Sequence, residues 1–145
     1  MGFFGSLDVS ASALTAQRLR MDVISENIAN VDTTRTPAGG PYQRKVTIFE
    51  ERPPQRFADI LGTALSEPYG RGVRVSAVTT DTTPGTRVYE PGHPDAGPDG
   101  YVNKPNVNVV VEMVNMIDST RSYEANVTTI GATKAMIAKT LEISR

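Results

Sequence analysis

The first 36 residues carry an apolar side chain at every seventh position, and late in the segment a second position of the same repeat also becomes apolar. The members of this line are Leu7, Leu14, Met21, Ile24, Ile28 and Val31. Such spacing is typical of a helix whose apolar line meets another helix. We expect Ser6 or Ser10 to cap the start of this helix and Asn30 to mark its end.

A similar pattern returns after Pro105 and continues to the end of the chain. The members of this second line are Met113, Met116, Tyr123, Val127, Ile130, Ile137 and Leu141. Asn108 is the expected N-cap, and Glu112 is placed where a negative charge favours the positive end of a helix. The pattern therefore predicts a long C-terminal helix.

The middle of the chain differs from both ends, because all ten prolines and nine of the twelve glycines lie between Pro37 and Pro105. Proline breaks helix interiors and glycine weakens them. The alternating segments "YQRKVTIFE" and "GVRVSAV" predict strands, and "TRVYEPGHPDAGPDGYV" predicts a turn-rich segment between two further short strands. The stretch 50–70 gives no clear pattern, and "ADILGTAL" within it fits either a helical turn or a mobile loop.

These patterns predict an α+β fold with long terminal helices around a small β-rich middle segment. The expected divisions are an N-terminal helix at 1–36, a middle segment at 37–105 and a C-terminal helix at 106–145.

Composition excludes several classes of protein. The net charge of −1 and the pI near 5.8 argue against nucleic-acid binding, which needs a basic patch. No apolar run is long enough to span a membrane, and the N-terminus lacks the regions of a cleavable signal peptide. The absence of cysteine rules out disulfides and thiolate sites. Hydrophobic residues make up 39% of the chain, which is low for one large core.

No catalytic or metal-binding constellation is evident, so we expect neither enzyme activity nor a cofactor. His93, the single histidine, lies between prolines and is expected to be a turn residue. A small hydrolase that uses His93 with nearby carboxylates is the weakest hypothesis. The segment from Asp95 to Gly100 resembles the start of a calcium loop, but its third position is Gly97 instead of Asp or Asn, and its twelfth is Asn106 instead of a bidentate Glu.

The two helices carry more apolar surface than one hairpin can bury. A second stripe on the N-terminal helix contains Val9, Ala16, Leu19 and Val23, and a flanking stripe on the C-terminal helix contains Val110, Val114 and Ile117. Surplus apolar surface favours association, and head-to-tail contacts that do not close produce a filament. The alternative is a stand-alone helical hairpin that docks a single partner.

Three separated motifs resemble the flagellar rod and hook protein family: "SENIANVDTTRTPAGGPYQRK", "HPDA…GYV…PNVN" and "PNVNVVVEMVNMIDSTRSYEANV". Together they cover about half of the chain, in the family's order. The positions that carry the signature are Asn27, Ile28, Ala29, Asn30, Thr36, Pro37, Gly39, Gly40, Tyr42, Arg121, Tyr123 and Asn126.

The resemblance implies a structural subunit of the proximal rod, located in the periplasmic part of the flagellar basal body and needed for motility. It implies that the terminal helices pair as a coiled-coil layer. The implied partners of the subunit are other rod subunits, copies of itself and the basal-body base. It also implies passage through the flagellar export apparatus without a cleaved signal. Phe3 and Leu7 match the family's export pattern of a phenylalanine followed four residues later by an apolar residue.

Overall fold

The computed structural model describes residues 3–53 and 71–143. In chain order the elements are α1 (Phe3–Ala29), β1 (Lys45–Glu51), β2 (Val73–Thr80), β3 (Arg87–Tyr89), β4 (Tyr101–Asn103) and α2 (Val109–Ile143). The predicted α+β class is confirmed, with long terminal helices flanking a region of short strands. The segment "ADILGTAL" and the side chain of Phe3 lie outside the described residues. Within the described part of the chain, neither helix is apolar enough to cross a membrane.

The predicted start of α1 is wrong, whereas its predicted end is confirmed. The helix is already formed at Phe3, so Ser6 and Ser10 lie inside it and neither is its cap. A cap preference is worth only about 1 kcal/mol and does not stop a helix that has no proline upstream. At the other end, the backbone N–H and the side-chain Nδ2 of Asn30 both donate to the carbonyl oxygen of Glu26, at 3.1 and 2.9 Å.

Helix α2 starts as predicted. The side-chain Oδ1 of Asn108 accepts hydrogen bonds from the backbone N–H groups of Val110 and Val111, at 3.0 and 3.3 Å. Glu112 lies in the first turn that follows this cap. The carboxylate is therefore placed at the end of the helix where unpaired N–H groups favour negative charge.

The four strands among the described residues form two antiparallel pairs at the predicted places. In the first pair the backbone N–H of Asp81 donates to Arg44 O at 2.7 Å, and that of Arg52 donates to Gly72 O at 3.0 Å, which fixes opposite directions for β1 and β2. In the second pair Val88 lies opposite Val102. Val102 is among the most buried side chains.

The chain forms two compact units, and each helix contributes a segment to each unit. Among the described residues, unit 1 contains 3–19, 48–53, 71–76 and 119–143, and unit 2 contains 20–47 and 77–118. Unit 1 buries small or polar side chains, namely Ser10, Ser12, Ala16, Ser119 and Thr133. Unit 2 buries Val23, Ile24, Asn27, Tyr42, Val102 and Glu112.

Unit 1 contains a close approach between α1 and the start of β2. The hydroxyl of Ser12 accepts a hydrogen bond from the backbone N–H of Val73 at 3.0 Å and donates to Val9 O at 2.6 Å. Gly72 adopts a φ of +80°, and a Cβ atom there would collide with the Ser12 hydroxyl. Glycine is thus required at Gly72 both by its backbone conformation and by its neighbour.

We expect Gly72→Ala to destabilise the protein by about 3 kcal/mol, because the strain of positive φ, roughly 1–2 kcal/mol, adds to the steric conflict with Ser12. Gly39→Ala is the matched control, since Gly39 has a φ of +87° but open space around its Cβ position. Urea denaturation measures both free energies of unfolding. Equal losses in the two variants would show that the Ser12 contact adds nothing.

Candidate functional site

The C-terminal end of α1 is fixed by a single buried amide, that of Asn27, which is 1% exposed. Its Nδ2 donates to Lys45 O at 2.9 Å and to Glu112 Oε2 at 3.0 Å. Its Oδ1 accepts from the Tyr42 hydroxyl and from the Lys45 backbone N–H, both at 2.9 Å. All four hydrogen-bonding positions of the amide are used. Asn27 therefore joins the end of α1 to the start of β1 and to the start of α2.

The carboxylate of Glu112 is equally buried, at 1% exposure, and is neutralised by Arg44. Its Oε1 accepts from Arg44 Nε at 2.8 Å and lies 2.7 Å from Arg44 Nη2. A buried charge is tolerated only when it is paired and hydrogen-bonded, and both conditions are met here. We call Asn27, Tyr42, Arg44, Lys45 and Glu112 the buried junction.

A second layer of contacts holds Arg44 in place. The Arg44 backbone N–H donates to Asn106 Oδ1 at 2.7 Å, and Asn106 Nδ2 donates to Asp81 O at 2.9 Å. The Asp81 carboxylate lies 3.8 Å from Arg44 Nη1. Hydrogen bonds from the side chain and backbone of Thr83, together with Arg44, lower the pKa of Asp81. Asp81 therefore stays ionised beside the guanidinium.

The connector between α1 and β1 is shaped by the signature residues that follow the helix. Gly39 and Gly40 have φ values of +87° and +77°, which favour glycine. The Thr36 backbone N–H donates to Gly40 O, and that of Gly39 donates to Thr36 O, both at 2.9 Å. This turn brings the chain back to Tyr42, whose backbone N–H donates to Thr33 O at 2.9 Å.

Asp95 of the "HPDA" segment contacts the same connector. Asp95 accepts a hydrogen bond from the Thr34 hydroxyl at 2.7 Å and lies 3.4 Å from Arg35 Nε. The Asp95 backbone N–H donates to His93 Nδ1 at 3.1 Å. His93 thus occupies the turn position that its prolines predict.

Burial makes the phenol of Tyr42 difficult to ionise. Desolvation is the largest cause, and the negative charges of Glu26 and Glu112 add to it, so that the pKa of Tyr42 rises to about 12. The hydroxyl consequently remains a hydrogen-bond donor to Asn27 over the whole physiological range.

Helix α2 has an inverted polarity. Among its described residues the fully buried ones are Glu112, Ser119 and Thr133, all polar. The large apolar side chains that it exposes are Val110, Val111, Met113, Val114, Ile117, Val127, Met136 and Leu141. An amphipathic helix of a free-standing protein has the opposite arrangement. We call the side of α2 that carries Val110, Met113, Val114 and Ile117 the outer face.

The predicted apolar lines occupy mixed environments. On α1, Ile24 is buried, and the half-buried members are Leu7, Leu14, Met21 and Ile28. Val31, predicted to continue this line, is half-buried but lies in the turn after α1 ends at Ala29. On α2, the half-buried members are Met116, Tyr123, Ile130 and Ile137, and the exposed ones are Met113, Val127 and Leu141. Of the signature residues of α2, Arg121 is exposed, and half-buried Asn126 donates to Ser122 O at 2.8 Å within the helix. The role of these lines in assembly stays a prediction.

The sequence did not reveal the residues that surround the signature residues Asn27 and Tyr42 in the buried junction. Glu112 was assigned only to the helix end, and Arg44, Asp81, Asn106 and Thr34 were given no role. A local signal existed for Glu112, since it lies between Val111 and Met113 in an apolar run, and a carboxylate buried there needs a cation. Nothing in the sequence marks Arg44, 68 residues away, as that cation.

Comparison with known proteins connects both helices to one class. Residues 7–35 match the family described as "Flagella basal body rod protein", and residues 99–143 match "Flagellar basal body rod FlgEFG protein C-terminal". The first match contains Asn27 and the second contains Glu112, which are hydrogen-bonded in the buried junction. The fold and the two matches therefore define a rod-type protein of the bacterial flagellum.

Full-length relatives specify the family. The flagellar basal-body rod protein FlgC of Bacillus subtilis (strain 168) is 50% identical over 151 residues, covering 100% of both chains. FlgC of Borreliella burgdorferi is 48% identical, covering 99% of this chain and 98% of its own, and FlgC of Salmonella typhimurium is 38% identical over 100% of both. The chain belongs to the flagellar basal-body rod protein FlgC family. Membership of this family does not favour the alternative function, that of a stand-alone helical hairpin that docks a single partner.

We expect Arg44→Ala to destabilise the protein by about 3–5 kcal/mol, because it leaves the Glu112 carboxylate buried without a cation. Arg35→Ala is the control, since Arg35 is 82% exposed beside Asp95 and such surface pairs are worth about 1 kcal/mol or less. Chemical denaturation compares the two. A loss for Arg44→Ala no larger than for Arg35→Ala would contradict the account of the junction.

We expect the free energy of unfolding to fall as the pH rises from about 10 towards 12. In that window the unfolded chain loses the Tyr42 proton, at the ordinary tyrosine pKa of 10.0, while the folded state keeps it to about 12. The loss attributable to Tyr42 is on the order of 2–3 kcal/mol. Tyr42→Phe should flatten this part of the profile, whereas Tyr89→Phe, at an exposed tyrosine, should not. Parallel profiles for all three proteins would refute the assignment.

Proposed function

We propose that this chain is a structural subunit of the flagellar basal-body rod, and that it assembles with copies of itself and with other rod subunits through the outer face of α2. Family membership supports the rod assignment. The observation that supports the use of the outer face in assembly is the inverted polarity of α2. No step of this function requires a bound cofactor or a reaction at the protein.

The exposed side chains of the outer face would contribute free energy to association when they become buried. Met113, Val114 and Ile117 are each more than half exposed. Burying one such side chain fully contributes about 1.5–3 kcal/mol. A contiguous apolar stripe at positions i, i+1 and i+4 on a helix is suited to packing against another protein surface. Contacts between neighbouring subunits supply that surface in the proposed rod.

The buried junction suits a subunit that bears mechanical load. It fixes the end of α1, the start of β1 and the start of α2 by hydrogen bonds and one ion pair. Such bonds are directional, so they resist sliding between the joined segments as well as separation. We infer that the junction keeps these three segments together while torque passes along the axial drive shaft of the proximal rod.

Delivery to the periplasmic rod follows from the same proposal. The subunit passes through the flagellar export apparatus without losing an N-terminal signal, and the pair Phe3 and Leu7 is the candidate export motif. The absence of cysteine in the chain suits passage between compartments of different redox state.

Complementation of a strain that lacks the corresponding rod gene tests the proposal. We expect the variant Met113→Asp/Ile117→Asp to fold, because both side chains are exposed, yet to fail to restore swimming in soft agar. Thr129→Asp adds a charge to an exposed position off the outer face and is the control. Basal bodies purified from each strain are probed for the chain. Full motility and incorporation of the double variant would overturn the proposed use of the outer face.

A further inference from the structure

The first turns of α2 are held in unit 2 mainly by one polar side chain. Among residues 109–118, all of which the structure describes, Glu112 is the only buried one. The large apolar side chains of this stretch that are exposed are Val110, Val111, Met113, Val114 and Ile117. A segment with little buried apolar surface opens locally at low cost. The polar contacts of Glu112 therefore decide whether this end of α2 is docked.

The chain that leads into α2 is held by contacts that do not involve Glu112. The Lys104 backbone N–H donates to Thr86 O at 2.8 Å. A Cβ atom added at Gly85 would collide with Lys104 O, so the two backbones are in direct contact there. If Glu112 loses its partners, this segment stays in place and only the turns of α2 that follow it are released.

The carboxylate of Asp81 is fixed beside Arg44 by residues that precede α2. The Asp81 backbone N–H donates to Arg44 O at 2.7 Å, and the Asn106 side chain bridges the backbones of both residues. Oδ1 of Asp81 accepts hydrogen bonds from the backbone N–H and the hydroxyl of Thr83, at 2.9 and 2.5 Å. Oδ2 lies 3.8 Å from Arg44 Nη1, just beyond hydrogen-bonding distance. Asp81 therefore presents its second carboxylate oxygen to the guanidinium.

Open space lies next to this guanidinium. A cavity of about 590 Å³ is lined by Arg44, Asp81, Thr83 and the first turn of α2 up to Glu112. The Arg44 side chain is 26% exposed, so solvent reaches it even while α2 is docked. A shift of about 1 Å would bring Nη1 to the usual distance of a charge-assisted hydrogen bond with Asp81. No backbone movement is needed, since Asp81 and Arg44 are already joined by their backbones.

We propose that Arg44 exchanges carboxylates, pairing with Glu112 when the start of α2 is docked and with Asp81 when it is undocked. Undocking without such an exchange would leave a partly buried cation without an anion, which is costly. With the exchange the guanidinium is paired in both states, so the cost of undocking falls. Asp81 is thus a positioning residue that acts on α2 through Arg44.

The charge of Asp81 is available in both states. Hydrogen bonds from Thr83 contribute most to the lowered pKa of Asp81, and Thr83 lies outside α2. Asp81 attracts Arg44 more strongly when α2 is undocked, because the two side chains then share a charge-assisted hydrogen bond instead of lying 3.8 Å apart. The carboxylate of Asp81 therefore favours the undocked state, although it lies beside Arg44 in both.

The exchange of partners goes beyond the proposed function, because it occurs within one subunit and does not use the outer face. Glu112 and Asp81 compete for one guanidinium, so the balance between the docked and undocked states depends on both carboxylates. A subunit can thus release the start of α2 and take it up again while Arg44 stays paired.

Through-hydrogen-bond NMR couplings in the full chain test the second pairing directly. The variant Glu112→Ala removes the first partner, so a coupling between Arg44 Nη1 and the carboxyl carbon of Asp81 should appear. The matched control is Glu112→Ala/Asp81→Asn, which should lose this coupling because the carboxylate is gone. An Arg44 guanidinium signal that shows no coupling to Asp81 in Glu112→Ala would overturn the proposal.

Backbone hydrogen exchange of the purified full chain provides a second test that leaves Glu112 in place. Asp81→Asn keeps an oxygen that can accept from Thr83 but removes the charge. It should slow the exchange of the amides at 112–116 by about threefold or more, because the undocked state loses its ion pair. Asp99→Asn, at an exposed aspartate of the turn before β4, is the control and should leave these rates unchanged. If Asp81 only supported the docked state, Asp81→Asn would speed the exchange, so unchanged or faster exchange would refute the proposal.

Discussion

The ion pair between Glu112 and Arg44, together with the amide of Asn27, is the constraint on which the rest of unit 2 depends. The pair is buried, so its net contribution to stability is smaller than its Coulomb attraction, because desolvation offsets much of that attraction. Its larger effect is specificity. Only one placement of the end of α1, the start of β1 and the start of α2 satisfies every donor and acceptor of Asn27 and Glu112. A helix shifted by one residue would leave a buried carboxylate or amide unpaired, at a cost of several kcal/mol.

The burial of Glu112 is one case of a wider feature of α2, its inverted polarity. Its buried side includes Glu112, Ser119 and Thr133, seven or fourteen residues apart, and polar or small side chains there define register more than they supply hydrophobic stabilisation. The large apolar residues that would stabilise a free-standing helix are turned outward instead. The subunit is thus organised for contacts beyond its own fold, which agrees with its membership of a family of rod proteins.

The sequence predicted what depends on local periodicity and local hydrogen bonding. The two long helices, the Asn108 cap, the Asn30 end and the alternating strand segments each depend on residues a few positions apart, and all were found. The use of the seven-residue apolar lines in assembly stays a prediction. The start of α1 was misplaced because Ser6 and Ser10 are good caps that are not used as caps. The pairing of Arg44 with Glu112 and of Thr34 with Asp95 could not be predicted, because the partners lie 68 and 61 residues apart. Only the fold brings such residues together, and no periodic pattern in the sequence indicates their pairing.

The most direct test of this account is a double-mutant cycle between Asn27 and Glu112, with free energies of unfolding for Asn27→Ala, Glu112→Ala, the double variant and the wild type. The account predicts that the two changes are strongly coupled, by roughly 1–3 kcal/mol, because each residue is buried against the other and shares its network. Additive losses, with a coupling below about 0.5 kcal/mol, would mean that the ends of the two helices are held independently and that the buried junction is not a unit.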